Sequence, residues 1–186
     1  MRVFFIGTVE FSKNLLQKLI ELNVQVVGVC TREKSDFHSD FSDLSTLCEE
    51  NKIPYKFVKD INSSLNIEWI KSLVPDIIFC FGWSSLIKEE LLGLAPMGVV
   101  GFHPAKLPQN RGRHPLIWAL ALGLKKSAST FFFMDEKADS GDILSQKDFN
   151  ILDTDDARIL YNKVFDIALI QLEKIIPQLE NKTYKR

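Results

Sequence analysis

The sequence predicts an α/β fold: a mostly parallel sheet with helices on both faces. Three observations predict it. Short β-branched and aromatic runs alternate with runs of helical period along the chain. The early apolar runs are continuous, as strands covered on both sides are. Residues 2–31 also read as strand, helix and strand, a βαβ unit of right-handed sense.

The elements follow in order. "RVFFIG" (2–7) is an apolar strand ended by glycine. "FSKNLLQKLIELN" (11–23) places Phe11, Leu15, Leu16, Leu19 and Ile20 at helical spacing, and "VQVVGVCT" (24–31) is a buried strand. "DFSDLSTLCEEN" (40–51) reads as a helix opened by Asp or Ser. "PYKFV" (54–58) is a strand and "LNIEWIKSLV" (65–74) a helix. "DIIFCFG" (76–82) is the next buried strand, followed by a helix over 84–94 with Ser at its start. "MGVVGFH" (97–103) is a strand that delivers His103 at its end. A helix over 114–124 carries Pro115 in its first turn. Strands over 128–135 and 141–149 are joined by "EKADS", and 153–179 is a long amphipathic helix with an acidic start.

Charge and cysteine content narrow the function. The 186 residues carry 23 Lys and Arg against 24 Asp and Glu, a formal net charge of −1. That balance does not describe a nucleic-acid sleeve. No apolar run reaches the length of a membrane span, and the N-terminus reads as no signal peptide. Cys30, Cys48 and Cys80 show no metal-ligand spacing, so no metal is expected. Cys30 and Cys80 lie in strand-like runs and read as buried thiols. A single domain over 1–186, in the cytoplasm, is the resulting expectation.

Ligands of open α/β sheets sit beyond the carboxyl ends of the strands, where "GFHPAKLPQNRGRHP" (101–115) places His103. Pro104, Pro108 and Gly112 shape the loop after it, and Arg111 and Arg113 are suited to phosphate or carboxylate. Asp139 lies in a second turn, "DEKADSGD" (135–142). A carboxylate reaching His103 orients it and alters its titration. "FCFGWSS" (79–85) ends a strand in aromatic residues and Gly82, suited either to core packing or to the edge of a flat heterocycle. "IGTVEF" keeps only one glycine of a dinucleotide fingerprint and reads as a tight turn.

At these residues the sequence resembles the 10-formyltetrahydrofolate-dependent formyltransferases. The likeness is carried by "RVFFIGTVEF", "PDIIFCFGWSSLIKEELL", "FHPAKLPQNRGRHPLIWALALG" and "MDEKADSGDIL". It implies a Rossmann-like sheet, formyl transfer, and His103 and Asp139 as catalytic residues. It implies Phe81, Gly82, Trp83 and Asp135 at the donor, and Lys106, Asn110, Arg111, Arg113 and His114 at the acceptor. The family's Asn-x-His is here Gly101-Phe102-His103, and Lys106 replaces a usual apolar residue. Asn110, His114, Lys106 or a backbone N–H is then the replacement oxyanion donor.

"RGRHPLIWALALG" most resembles enzymes acting on nucleotide-linked amino sugars in surface-glycan biosynthesis. Glycinamide ribonucleotide is disfavoured because its Gly-rich phosphate loop is reduced to "GTVEF". Methionyl-tRNA is disfavoured by the absence of a C-terminal tRNA-binding domain and by the charge. A further small amine or carrier-bound peptide, or a non-catalytic folate- or sugar-binding homologue with Gly101 in place of Asn, are the other readings. Phe131–Phe133 are read either as core or as a homodimer interface.

Overall fold

Runs of Val, Ile and Phe too short for a helix become strands, and their sequence order differs from their order in the sheet. The structure, a computed structural model, describes residues 1–34 and 40–185. Its strands are β1 (Arg2–Ile6), β2 (Gln25–Thr31), β3 (Tyr55–Phe57), β4 (Ile77–Cys80), β5 (Val99–His103), β6 (Lys126–Phe133) and β7 (Ile143–Asn150). The helices are α1 (Glu10–Glu21), α2 (Ser45–Glu50), α3 (Ser64–Ser72), α4 (Glu89–Leu92), α5 (Pro115–Ala121) and α6 (Ala157–Glu180). One seven-stranded sheet has the order β3-β2-β1-β4-β5-β6-β7. β1 pairs in parallel with β2 and β4, β2 in parallel with β3, and β6 antiparallel with β7. The mostly parallel α/β sheet is therefore as the sequence predicts. The chain forms two compact units, Met1–Val100 and Gly101–Arg186.

In the first unit, β1 and β4 are buried along almost their whole length, and Leu15, Leu16 and Leu19 of α1 are fully buried. Gly7 is required by close approach rather than by a nucleotide. A Cβ there would stand 2.5 Å from Ser12 Cβ and 2.8 Å from the Phe81 carbonyl oxygen. The Ser12 hydroxyl saturates this turn: it donates to Phe81 O (2.6 Å) and accepts from the Thr8 and Val9 N–H groups (3.2 and 3.3 Å).

Two helices lose half or more of the length that the sequence predicts. The helix expected from 40 begins at Ser45 because the preceding residues are tied to the β1–α1 turn. Glu10 N–H donates to Asp40 O, Ser42 N–H donates to Thr8 O, and Phe41 bridges Val9. Asp43 Oδ1 then accepts the Ser45 N–H (2.8 Å). The helix expected from 84 contracts to Glu89–Leu92 because Asn62 clasps the chain before it. Its amide donates to Leu86 O (2.9 Å) and its Oδ1 accepts the Lys88 N–H (2.8 Å).

All three thiols are unbridged and buried. Burial pushes each up to about 12, with Asp43 and Glu49 adding to the rise at Cys48. They serve as small apolar packing groups. Among the described residues no helix is long and apolar enough to cross a membrane.

In the second unit, Ala119 of α5, Phe149 and Ile151, and Leu160 and Val164 of α6 form one buried cluster. Phe131, Phe132 and Phe133 are 0%, 2% and 6% exposed within this single chain, which makes them core. Asp156 caps α6 by accepting the Ile159 N–H (2.8 Å). Next to it, Asp155 accepts from Lys163 Nζ (2.5 Å) and from the Leu152 N–H (2.8 Å). The lysine first, then the backbone bond, hold its carboxyl below the ordinary 3.8. A depressed carboxylate stabilises the fold above its unfolded pKa, and that contribution disappears as pH falls through the folded value. Asp155→Asn is therefore expected to lower the melting temperature at neutral pH and to flatten its acid-side decline. Thermal melts between pH 7 and pH 2 check this.

Candidate active site

β5 ends at His103, which is 5% exposed. Both ring nitrogens of His103 face oxygen atoms of its own unit. Nε2 lies 2.9 Å from the Asn110 carbonyl oxygen, and Nδ1 lies 3.7 Å from Asp139 Oδ2. A carbonyl only accepts, so Nε2 carries hydrogen and donates. Nδ1 then faces the Asp139 carboxylate. The 3.7 Å separation is longer than a hydrogen bond. Such separations shorten when a substrate assembles the site.

Asp139 is presented by a tight turn. Its backbone is left-handed (φ 54°) and its side chain is 21% exposed. Asp135 holds that turn: its Oδ1 accepts from the Lys137 N–H (3.0 Å) and from the Ser140 hydroxyl (2.5 Å). Gly141 lets the return strand close on β6, since a Cβ there would fall 1.8 Å from the Phe133 carbonyl oxygen. The same Asp139 Oδ2 accepts the Gly112 N–H (2.9 Å). The segment 110–112 thus touches both partners, one through a carbonyl and one through an amide. Its left-handed residues, Asn110 (φ 54°) and Gly112 (φ 102°), permit that double turn.

The first half of the loop after His103 is fastened rather than open. Thr130 Oγ1 donates to Ala105 O (2.7 Å), Gln146 Nε2 donates to Leu107 O (2.9 Å), and Lys106 Nζ pairs with Asp148 Oδ2 at 2.5 Å. The Leu107–Pro108 bond is cis. Arg111, Leu107, Pro108, Asp139, Asp142 and Ile143 are among the residues lining a pocket of about 280 Å³.

The residues expected at the acceptor are thus placed differently from one another. Arg111 lines the pocket beside Asp139. Lys106 is committed to Asp148. Asn110 meets His103 through its carbonyl, and its exposed side chain makes no described contact with the histidine. His114 is the exposed, left-handed residue that opens α5, with Pro115 at its first position, and Arg113 is exposed. Gly101 leaves no vacancy. A Cβ there would meet Met134 Cγ at 2.9 Å and Phe132 Cε1 at 3.1 Å.

Of the residues expected at the donor, Asp135 spends its carboxylate on the Asp139 turn. In the first unit, Phe81 is fully buried and stacked on Phe79 at 5.2 Å. Its N–H donates to Ile6 O and its carbonyl accepts from Ser12. Phe81 is accordingly a packing residue, closed to a ligand by ring and backbone alike. Gly82 makes the turn (φ 65°), where a Cβ would stand 2.3 Å from Val9 Cγ2. Trp83 lies at the surface edge, with the Arg32 guanidinium 4.8 Å from its ring centroid.

Sequence reasoning missed Ser140, Gly141, Thr130 and Gln146, and it read Gly112 only as a loop former. Gly141 carried a signal in "SGD", and Gln146 in being polar on a strand. The Gly112 amide carried none, because its contribution is backbone.

The sequence profile described as formyl transferase matches residues 1–176. Among solved structures, phosphoribosylglycinamide formyltransferase from Bacillus halodurans superposes with a TM-score of 0.81 at 19% identity, covering 97% of this chain and 98% of that one. A sugar N-formyltransferase from a Shewanella species gives 0.78 at 18%, covering 100% and 72%. WlaRD, a sugar 3N-formyltransferase solved in the presence of dTDP and 5-N-formyl-THF, gives 0.76 at 19%, covering 100% and 65%. At these identities the likeness is one of fold.

Proposed function

Because the chain belongs to the formyl transferase family, we propose that it transfers a formyl group from 10-formyltetrahydrofolate to the amine of a nucleotide-linked amino sugar. The observation that carries the chemistry is the His103–Asp139 pair, with Nε2 of His103 already held on an acceptor oxygen. In this mechanism the formyl oxygen displaces the Asn110 carbonyl oxygen from Nε2. When the acceptor amine attacks the formyl carbon, negative charge grows on the formyl oxygen, and His103 Nε2–H stabilises it. Asp139 takes the proton that the amine sheds as its new C–N bond forms. The bond to the donor nitrogen then breaks, its electron pair stays on that nitrogen, and the proton passes to it. Protons balance overall: the one lost by the amine is the one the departing nitrogen needs.

The donor supplies an activated formyl group. The turn after β4 offers its flat ring an apolar surface at the 66% exposed Leu86. The acceptor class rests on the β1–α1 turn. There the Thr8 and Val9 amides are bound by Ser12, and Glu10 N–H by Asp40 O. A phosphate monoester such as that of glycinamide ribonucleotide therefore finds no open amides at this helix start. Arg111, in the pocket wall beside Asp139, offers charge to a nucleotide diphosphate. The test is kcat/KM for a panel of nucleotide-linked amino sugars beside glycinamide ribonucleotide. One of the sugars is expected to lead, and a lead for the ribonucleotide overturns the assignment. In the same assay Arg111→Gln is expected to raise the acceptor KM about tenfold and leave the donor KM unchanged.

The alternative of an inactive homologue is tested at Gly101. The space an asparagine needs is taken by Met134 and Phe132. Gly101→Asn is expected to cost about 1–3 kcal/mol by overpacking and to bring no gain in turnover. Denaturant melts and kcat measured together check both halves. A gain in turnover would restore the inactive-homologue reading.

A further inference from the structure

Among the described residues, four buried side-chain polar atoms of the first unit have no hydrogen-bond partner. They are Thr8 Oγ1, Thr31 Oγ1, Arg32 Nε and Trp83 Nε1. All four belong to one edge of the sheet. β1 ends at Ile6, β2 at Thr31 and β4 at Cys80, and the register sets Ile6 level with both Cys30 and Cys80. Thr8, Thr31, Arg32 and Trp83 therefore close or follow the carboxyl ends of three adjacent parallel strands, the edge at which open α/β sheets hold ligands. Both threonines are 0% exposed. Arg32 is fixed over the Trp83 ring, 4.8 Å from its centroid, with Nη2 donating to Ser85 Oγ (3.2 Å).

Every member of the set can donate, and two members can only donate. An indole N–H and a guanidinium N–H only donate, each hydroxyl has a proton to give, and Arg32 brings a positive charge. Buried polar groups are seldom left without partners, and the Arg32 and Trp83 N–H groups lack acceptors. The neighbouring amides of Thr8 and Val9 do not compete, because Ser12 already accepts from them.

We propose that Arg32 and Trp83, with Thr8 and Thr31 beside them, form a binding site for an oxyanion, a phosphate or carboxylate group of a ligand. The site stands on these donors alone, whichever amine accepts the formyl group. A nucleotide diphosphate and the glutamate tail of a folate both carry the required group, and the experiment separates them.

The intact protein is titrated with inorganic pyrophosphate and, separately, with glutamate, at constant ionic strength. Binding is followed by calorimetry and by tryptophan emission. Saturable binding is expected, with pyrophosphate binding pointing to the diphosphate and binding of glutamate alone to the folate tail. Arg32→Gln is expected to weaken it about tenfold or more. Trp83→Phe keeps a ring but removes the N–H, so a loss of a few-fold and of the emission change is expected. Lys174→Gln, on exposed α6 surface, is expected to bind as the wild type does. If Arg32→Gln melts far below the wild type, Arg32→Lys decides by the same criterion, since it keeps the charge and loses Nε. Absence of binding of either anion, or wild-type affinity in the arginine variants, overturns the proposal.

Discussion

Asp139→Asn is expected to lower kcat by about 10²–10⁴-fold, the span that a positioned acid–base group supplies. The amide is near in shape to the carboxylate, so the Gly112 N–H keeps an oxygen acceptor and the turn held by Asp135 persists. What is lost is the carboxylate that faces Nδ1 of His103 and that, in the proposed mechanism, takes the amine proton. His103→Ala is expected to cost a similar factor by removing the Nε2–H donor. The two effects should be far from additive, because in the proposed mechanism the residues act on one transferred proton and one developing charge. Single and double variants assayed at saturating donor and acceptor check this. KM values should move little, and circular dichroism should show folded protein. Near-wild-type turnover in both single variants would remove the pair from catalysis.

Gly141→Ala is expected to destabilise the protein by about 3 kcal/mol or more, a melting-temperature loss of roughly 6–12 °C for a chain of this size. The clash is with backbone, not with the end of a flexible side chain: the new Cβ would fall 1.8 Å from Phe133 O. Relief requires the turn to back away from β6, which breaks the Phe133 N–H to Asp142 O bond (2.8 Å) and displaces Asp139. A large fall in kcat should accompany the loss of stability. Gly112→Ala is the informative contrast. No atom lies within 4 Å of a Cβ there, yet φ is 102°. That substitution carries backbone strain alone, about 1–2 kcal/mol. Thermal melts of the two variants side by side check the distinction between crowding and strain.

Much of this architecture was legible in the sequence because strands covered on both sides must be apolar throughout. "VQVVGVCT" and "DIIFCFG" could be little else, and "MGVVGFH" had to deliver His103 at its end. Asp139 was legible as an acidic residue in a short connection between two strands. What escaped notice arises from contacts that have no local signature. The helix expected from 84 is cut short by Asn62, more than twenty residues earlier. Lys106 is drawn to Asp148, and Leu107 to Gln146, by strand pairing that periodicity does not encode. Asn110 drew attention for its side chain, but it reaches His103 through a carbonyl that any residue would bring. Gly101 stood out only for the asparagine it replaces, and the packing of Met134 and Phe132 shows that its surroundings are filled.

The central claim is that His103 and Asp139 together carry a formyl group onto an amine. It is tested most directly with a donor isotopically labelled in the formyl carbon, incubated with the wild type and with Asp139→Asn in the presence of nucleotide-linked amino sugars. The account predicts that the wild type moves the label into an amide on one of these sugars, and that the variant, folded to the same degree, does so at least about 100-fold more slowly. Label remaining wholly on the donor with every acceptor, or moving equally fast in the variant, would contradict it.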